Sequence, residues 1–414
     1  MPSPRDRARP KCLHLLALVV IAKAPTCSVA YAAENPTPDY LLPDLPQTAL
    51  IHERERYWLK PIVAILADYT FFEQDDASLA QVGEQQDSPD VRAARFGMLL
   101  RSKSERAWEA FLAADYQEKR TRDDAVFQLY DLRLRFPFGR ISLDVGKQKQ
   151  PFVHEMVSLS VLNPQPERIL SPFFVTRSLG VQVSGPLAGD RMTWAAGWFN
   201  DWLESDATFS DSANDYVGRI TALVTASSDD LDYLHLGLGL RRVGPDAGTI
   251  RLSGRPESNV ADKYLDTGDF PADYARELAL EAIWDRGPFA VTAEHVEAKA
   301  EAPASGNPRF SGSYLMLSWT LRGESRRYNR ATGFTGGIRP THRHGAIELV
   351  ARYSQVDLKD GAIDGGVLHK THFGVNWWAS QQWKAGISYG DADLDRGGTR
   401  GNTRMLLTRF QWFY

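Results

Sequence analysis

Val126-Phe127-Gln128-Leu129-Tyr130-Asp131-Leu132-Arg133-Leu134-Arg135-Phe136 is the stretch that decides the fold. Tyr130, Leu132, Leu134 and Phe136 share one parity, and Asp131, Arg133 and Arg135 share the other. Successive side chains of a β-strand point to opposite faces, so the segment predicts one greasy face backed by three charges. A soluble two-sided core would have to bury those charges. A strand crossing a bilayer, about 9–11 residues long with every second side chain in lipid, places them in a wet lumen instead.

Four further segments repeat the pattern. Leu234, Leu236, Leu238 and Leu240 oppose Tyr233, His235, Gly237, Gly239 and Arg241, and Leu315, Leu317, Trp319 and Leu321 oppose Tyr314, Met316, Ser318 and Thr320. Ile347, Leu349, Ala351 and Tyr353 oppose Glu348, Val350, Arg352 and Ser354. Trp383, Ala385, Ile387 and Tyr389 oppose Lys384, Gly386, Ser388 and Gly390. A soluble β-sandwich also alternates. Against it stand polar faces rich in Gly, Arg and Glu, and the repeated Trp and Tyr at the ends of the apolar faces, where an interfacial girdle needs them.

The chain closes on Arg409-Phe410-Gln411-Trp412-Phe413-Tyr414, with Phe410, Trp412 and Tyr414 on one face and Arg409 and Gln411 on the other. So greasy a free strand is an aggregation hazard in water. It resembles the terminal signal by which outer-membrane barrels are assembled, with Tyr in place of the usual Phe.

At the other end, Arg5, Arg7, Arg9 and Lys11 precede an apolar run over 13–22, and Ala30-Tyr31-Ala32 supplies small residues for cleavage, as in a secretory signal. Lys23 and Pro25 interrupt the run too early for a retained transmembrane helix. Both cysteines, Cys12 and Cys27, fall inside this signal, so a mature chain has no disulfide or thiolate metal site. Without residues 1–33 the chain carries 43 basic and 51 acidic residues, a formal charge of −8. Neither nucleic acid nor anionic lipid is an obvious partner for it.

The expectation is an all-β protein: a transmembrane antiparallel β-barrel of about 16 strands with long external loops and short periplasmic turns. It would occupy residues 60–414, behind a signal peptide (1–32) and a periplasmic leader (33–59) that holds four prolines within 34–47.

Several motifs then resemble one family. Val145-Gly146-Lys147-Gln148-Lys149-Gln150-Pro151-Phe152, followed by Glu155, Glu167-Arg168 and Arg177-Ser178-Leu179-Gly180-Val181, is the most specific group. Arg92 with Arg95-Phe96-Gly97, Trp194-Ala195-Ala196-Gly197, Gly218-Arg219, Arg322-Gly323-Glu324-Ser325-Arg326 and 348–354 support it in the same order. Together they resemble the phosphate-selective porins O and P of Gram-negative outer membranes. Gln148 stands where that family usually has Phe, and Val153 replaces the Gly after Pro-Phe. The resemblance implies a 16-stranded barrel, a homotrimer in outer-membrane lipid, and passage of inorganic phosphate or other small anions.

A pore selects anions by fixing positive charge in a narrow lumen, where guanidinium groups fork onto oxyanions. Strand parity assigns to the lumen Arg95, Arg133, Arg135 and Arg219, together with Arg251, Arg352, Lys384 and Arg409. Asp115, Asp131, Glu277, Glu281, Glu294 and Glu348 share it. Arg133 and Arg135 beside Asp131 read equally as an anion path or as an ion-pair ladder bracing the wall. Lys147 and Lys149 have the lipid-face parity of Val145, which is costly at midplane. They are therefore expected in an inward constriction loop, with Arg168 and Arg177 flanking the Pro-rich residues 163–172. The candidate anion-binding residues are thus Arg95, Arg133, Arg135, Lys147, Lys149, Arg168, Arg177, Arg219 and Arg352.

The basic clusters 119–122 and 326–330 suit either anion gathering at a mouth or ordinary solvated turns. No enzymatic elbow or phosphate-cradling Gly-Lys-Ser/Thr loop occurs. The pairs His342 with His344 and His369 with His372 read as loop or strand-edge residues rather than metal ligands. No catalytic residue, metal or cofactor is expected. The alternatives to a phosphate-preferring porin are a general porin, or a barrel with a structural or adhesive role through its external loops.

Overall fold

A computed structural model describes residues 52–53, 56–103, 107–117, 126–201 and 212–414; the expected signal peptide and the cluster 119–122 lie outside them. Sixteen antiparallel strands form one closed wall: β1 (Tyr57–Gln74), β2 (Ser88–Ser102), β3 (Glu109–Gln117), β4 (Val126–Phe138), β5 (Ile141–Gln148), β6 (Ser178–Leu187), β7 (Met192–Asn200) and β8 (Ser212–Ala226). They continue as β9 (Tyr233–Pro245), β10 (Tyr274–Arg286), β11 (Phe289–Glu301), β12 (Arg309–Thr320), β13 (Ala346–Asp360), β14 (Ile363–Trp378), β15 (Trp383–Arg396) and β16 (Thr399–Phe413).

Each strand pairs with its neighbour in sequence, and β1 closes on β16 from Ala64 opposite Phe413 to Gln74 opposite Thr403. Tyr414 adds backbone hydrogen bonds to Val63 in both directions, at 2.7 and 3.0 Å. The greasy C-terminal strand is therefore an internal strand. Closure leaves no edge with unsatisfied backbone groups, the condition for spanning lipid with strands.

The outer face follows the alternation. Leu132, Leu134, Leu236, Leu315, Leu317 and Ile387 are exposed, whereas Arg135, Arg352, Lys384, Arg409 and Gln411 are buried on the inner face. Trp58, Trp284, Phe289, Trp319, Trp377 and Trp383 form an exposed belt near the end where β1 starts and β16 finishes. Tyr69, Phe71, Phe127 and Tyr216 lie toward the opposite end. These are the two aromatic girdles of a barrel in a bilayer.

Three expectations about the wall need correction. Tyr130 does not face lipid. Ala113 pairs with Asp131 and Ala114 with Leu129, so Tyr130 is the extra residue of a β-bulge, which turns its ring inward between Arg95 and Arg177 at 4.2 and 3.4 Å. Arg251 is not on a barrel strand; it lies in the connection between β9 and β10, 42% exposed and paired with Asp266 at 2.5 Å. His369 and His372 lie within β14 and, three residues apart on a strand, on opposite faces.

The end carrying the aromatic belt has short turns as expected, with one exception. Residues 321–345, between β12 and β13, make a 25-residue connection that folds back into the lumen as a hairpin of Arg326–Asn329 against Phe334–Ile338. Arg326 of the basic cluster is thereby buried, with Nη2 on Glu348 at 2.6 Å and Nη1 on the Leu162 and Gly336 carbonyls. Arg330 pairs with Asp230. Neither a mouth funnel nor a solvated turn describes Arg326.

Two connections at the opposite end, 149–177 and 246–273, also turn inward. Phe152, Met156, Leu170 and Phe173 of the first pack with Leu252, Tyr264, Leu265 and Phe270 of the second, and with inward Val296, Val356, Leu368 and Leu394 of the wall. Much of the lumen is thus a dry core, not a wet tube.

Candidate pore site

Residues 149–177 leave β5 through a backbone that only glycine adopts easily. Gly146 has φ +129, and a Cβ there would stand 1.9 Å from the Leu132 carbonyl oxygen. Strand pairing continues across it, so Lys147 remains on β5 opposite Leu132 and Leu179, buried within the wall. Lys147 is not in the loop, because β5 runs two residues past Gly146.

The loop then crosses the barrel interior on a series of anchors. Gln150 donates to Asp215 at 2.9 Å, Lys384 to the Asn163 carbonyl at 2.6 Å, and Asn376 to the Pro164 carbonyl at 2.8 Å. Glu167 is held by Arg92 at 2.6 Å and Arg409 at 2.7 Å. Those two guanidinium groups keep its carboxyl well below the ordinary glutamate range despite burial. Glu155 accepts from Arg352 at 2.6 Å and from the Leu170 amide at 2.9 Å, and its own amide donates to Glu294 at 2.8 Å.

Arg352 also pairs with Glu257 of the 246–273 connection at 3.3 Å and lies over the Tyr314 ring at 3.9 Å. It is fully buried and fastens both loops to β13. Arg168 is spent similarly, donating through Nε and Nη2 to the Glu155 and Ser158 carbonyls. Burial lowers its affinity for a proton.

Opposite the filled half, a cavity of about 240 Å³ remains against β1–β8. Six basic residues line it: Arg95, Arg133, Arg135, Arg177, Arg219 and Lys149. Asp131 is the one carboxylate among its lining residues. Each arginine leans on a carboxylate: Arg95 on Asp115 at 3.0 Å, Arg133 on Glu109 at 3.1 Å, Arg135 on Asp144 at 2.6 Å, Arg177 on Asp131 at 2.9 Å, and Arg219 on Glu281 at 2.5 Å.

Arg101 shares Glu109 at 2.7 Å, so a ladder of alternating charge crosses β2 to β5. Arg133 and Arg135 belong to that ladder and to the cavity wall at once. Lys149 donates to the Val157 and Ser158 carbonyls at 3.1 and 2.6 Å. Burial, with Arg168 and Arg177 nearby, pushes its ammonium well below the usual lysine range. For Arg177 burial works the other way from Asp131, and Asp131 prevails, raising it.

Arg219 also donates to the Gly333 carbonyl at 2.7 Å, and Glu281 holds His235 Nε2 at 2.9 Å while His235 Nδ1 meets the Tyr328 hydroxyl at 2.7 Å. The inward hairpin is thus fixed at one rim of the cavity. Six of the nine residues assigned from sequence converge on this space; Lys147, Arg168 and Arg352 do not line it. The apolar lining residues Ile62, Phe111, Leu159, Val161 and Phe334 were not foreseen. Inward parity beside Arg133 marks Phe111, but nothing local marks Phe334.

The profile of the family described as phosphate-selective porin O and P matches residues 65–414. The Porin O of Pseudomonas aeruginosa is 30% identical over 129 residues, 28% of this chain and 30% of that protein. An uncharacterized protein of Caulobacter vibrioides is 28% identical over 204 residues, 46% of this chain and 40% of that one. The chain therefore spans well under half the length of the curated relatives it matches.

Among solved structures, an anion-selective porin from Comamonas acidovorans superposes with a TM-score of 0.56 at 10% identity, over 86% of this chain and all of that one. The outer-membrane channel DcaP of Acinetobacter baumannii gives 0.55 at 9% identity, over 87% of this chain and 99% of that one. These last two likenesses establish the fold. With the profile matching from within β1 to the last residue, the chain belongs to the phosphate-selective porin O and P family of Gram-negative outer-membrane proteins.

Proposed function

We propose that this porin lets small anions diffuse passively through the cavity lined by Arg95, Arg133, Arg135, Arg177, Arg219 and Lys149, with phosphate and polyphosphate as the solutes the family's name suggests. The observation that carries this reading is the composition of the remaining lumen: six basic residues line it and one carboxylate does. Asp115, Glu109, Asp144 and Glu281 pair with these arginines from outside the lining, so a narrow passage that presents guanidinium and ammonium donors at its surface favours anions over cations even where its net charge is small.

Lys147, Arg168 and Arg352 act on the anion through the framework they brace. A signal peptide over 1–32 is proposed, followed by a leader that ends where β1 begins at Tyr57 rather than at residue 59, with the end carrying residues 321–345 facing the periplasm. A homotrimer is proposed as well; OmpT of Vibrio cholerae, similar in fold with a TM-score of 0.52, has been solved in a trimer form. The family and fold are those of channels, and no reaction is assigned.

Planar-bilayer recording tests the reading. Defined conductance steps with a reversal potential of anionic sign in a salt gradient are expected. A cationic reversal potential would reject anion passage, and equal block by chloride and phosphate would reduce the protein to a general porin.

A further inference from the structure

We infer that the cavity selects an organic anion with an apolar body, a monocarboxylate bearing a flat ring or a short alkyl chain, over bare inorganic phosphate; the inference rests on the reading of the chain as a small-anion porin. Two observations carry it, one electrostatic and one apolar.

The first is the pairing of the arginines. Asp115, Glu109, Asp144, Asp131 and Glu281 are each within 3.1 Å of one of the five lining arginines. Lys149, held by two carbonyls, is the one lining cation without a carboxylate partner among the described residues. The wall therefore offers many N–H donors but little net positive charge. A multiply charged oxyanion needs full compensation to leave water for so confined a space. A single carboxylate asks for one unit of charge and a few donors. Arg133 lines the cavity and is one donor residue placed to serve it.

The second is the lining between the arginines. Ile62 and Phe111 project inward from β1 and β3, half-buried rather than sealed into the wall. Leu159 and Val161 face them from the 149–177 loop, and Phe334 from the inward hairpin. Tyr130 adds a ring already stacked by Arg95 and Arg177. Such a surface cannot solvate phosphate oxygens, and it gains free energy by covering hydrocarbon. At about 240 Å³ the space admits a ring-sized body. Row by row, Phe111 stands opposite Arg133 on adjacent strands, so a carboxylate at Arg133 would place its body against Phe111.

The test is block of chloride current through single channels of the mature chain in planar bilayers at pH 7, by benzoate, hexanoate and inorganic phosphate. Benzoate and hexanoate are expected to halve the current at concentrations about tenfold below that of phosphate. Phe111→Ala should narrow that gap by about fivefold or more. Should Phe111→Ala fail to assemble, Ile62→Thr carries the same expectation from two strands away on the same wall. Phosphate blocking at equal or lower concentration overturns the inference and leaves the porin reading intact. Absence of conductance steps removes the porin reading instead, and isothermal titration of the detergent-solubilised protein then decides the inference: tighter benzoate than phosphate sustains it, and no benzoate heat overturns it.

Discussion

The two halves of the barrel use the same alternation for opposite ends. On one side β3, β5, β6 and β7 are only 9, 8, 10 and 9 residues long, and their inner faces border open space with Phe111, Gln148, Gln182 and Thr193, beside Arg133 and Arg135 of β4. On the other side β13, β14, β15 and β16 run 15, 16, 14 and 15 residues, and their inner faces carry Val356, Leu368, Leu394 and Met405 against the inward loops. The long half buys rigidity with a core of its own. The short half can then leave its charges facing a cavity without collapsing. Arginine also changes role between the halves: Arg133 is a ladder member that also lines the cavity, whereas Arg352 is enclosed by Glu155 and Glu257.

The largest effect that separates the halves is expected from Arg352→Ala. Two carboxylates, Glu155 and Glu257, would lose their shared cation inside the core, at a cost of about 3–5 kcal/mol. Thermal unfolding should drop accordingly, and single-channel conductance should rise as the loops come loose. Unchanged conductance would show that the loops stand without this anchor.

Gly146→Ala tests the departure of the 149–177 loop from the wall. Its Cβ meets the Leu132 carbonyl oxygen, so β4 and β5 must part or the backbone must distort, costing about 2–3 kcal/mol. A reduced yield of folded barrel in the outer membrane, read by heat-modifiable gel mobility, is the check.

In the short half, Arg133→Ala with Arg135→Ala should leave stability less affected and selectivity more. Glu109 and Asp144 would then face the cavity with fewer cations, moving the anion-to-cation permeability ratio about tenfold toward cations. A ratio that stays put would assign both arginines to bracing alone.

The smallest effect concerns acid. Glu167 has its carboxyl pKa depressed by Arg92 and Arg409. Its contribution is therefore full above the ordinary glutamate pKa of 4.5 and is lost as pH falls through the depressed value. Glu167→Gln should remove about 1 kcal/mol at neutral pH and flatten the loss of stability on acidification. Parallel acid profiles for the two proteins would contradict this.

How much of this was legible in the sequence follows from the range of the interactions. Period two put Leu134 in lipid and Arg135 in the lumen because the rule is local to the strand. The same rule misplaced Tyr130, since a bulge depends on how β4 meets β3. It also misjudged Lys147, because parity says nothing of what buries a residue. Arg326 read as part of a basic cluster at a mouth or in a solvated turn; its burial depends on Glu348, 22 residues away, and on the Leu162 carbonyl, 164 residues away.

By itself the sequence determined a closed barrel: alternation demands two solvents, and an aromatic last strand demands a partner for its edge. It also placed Arg95, Arg133, Arg135, Arg219, Arg352 and Arg409 on the inner face, though not Arg326, and it misplaced Arg251. Only the tertiary structure decided which of those arginines line the remaining cavity. That choice rests on three connections folding inward and on the carboxylates they bring or leave, contacts between residues far apart in the chain that no local pattern encodes.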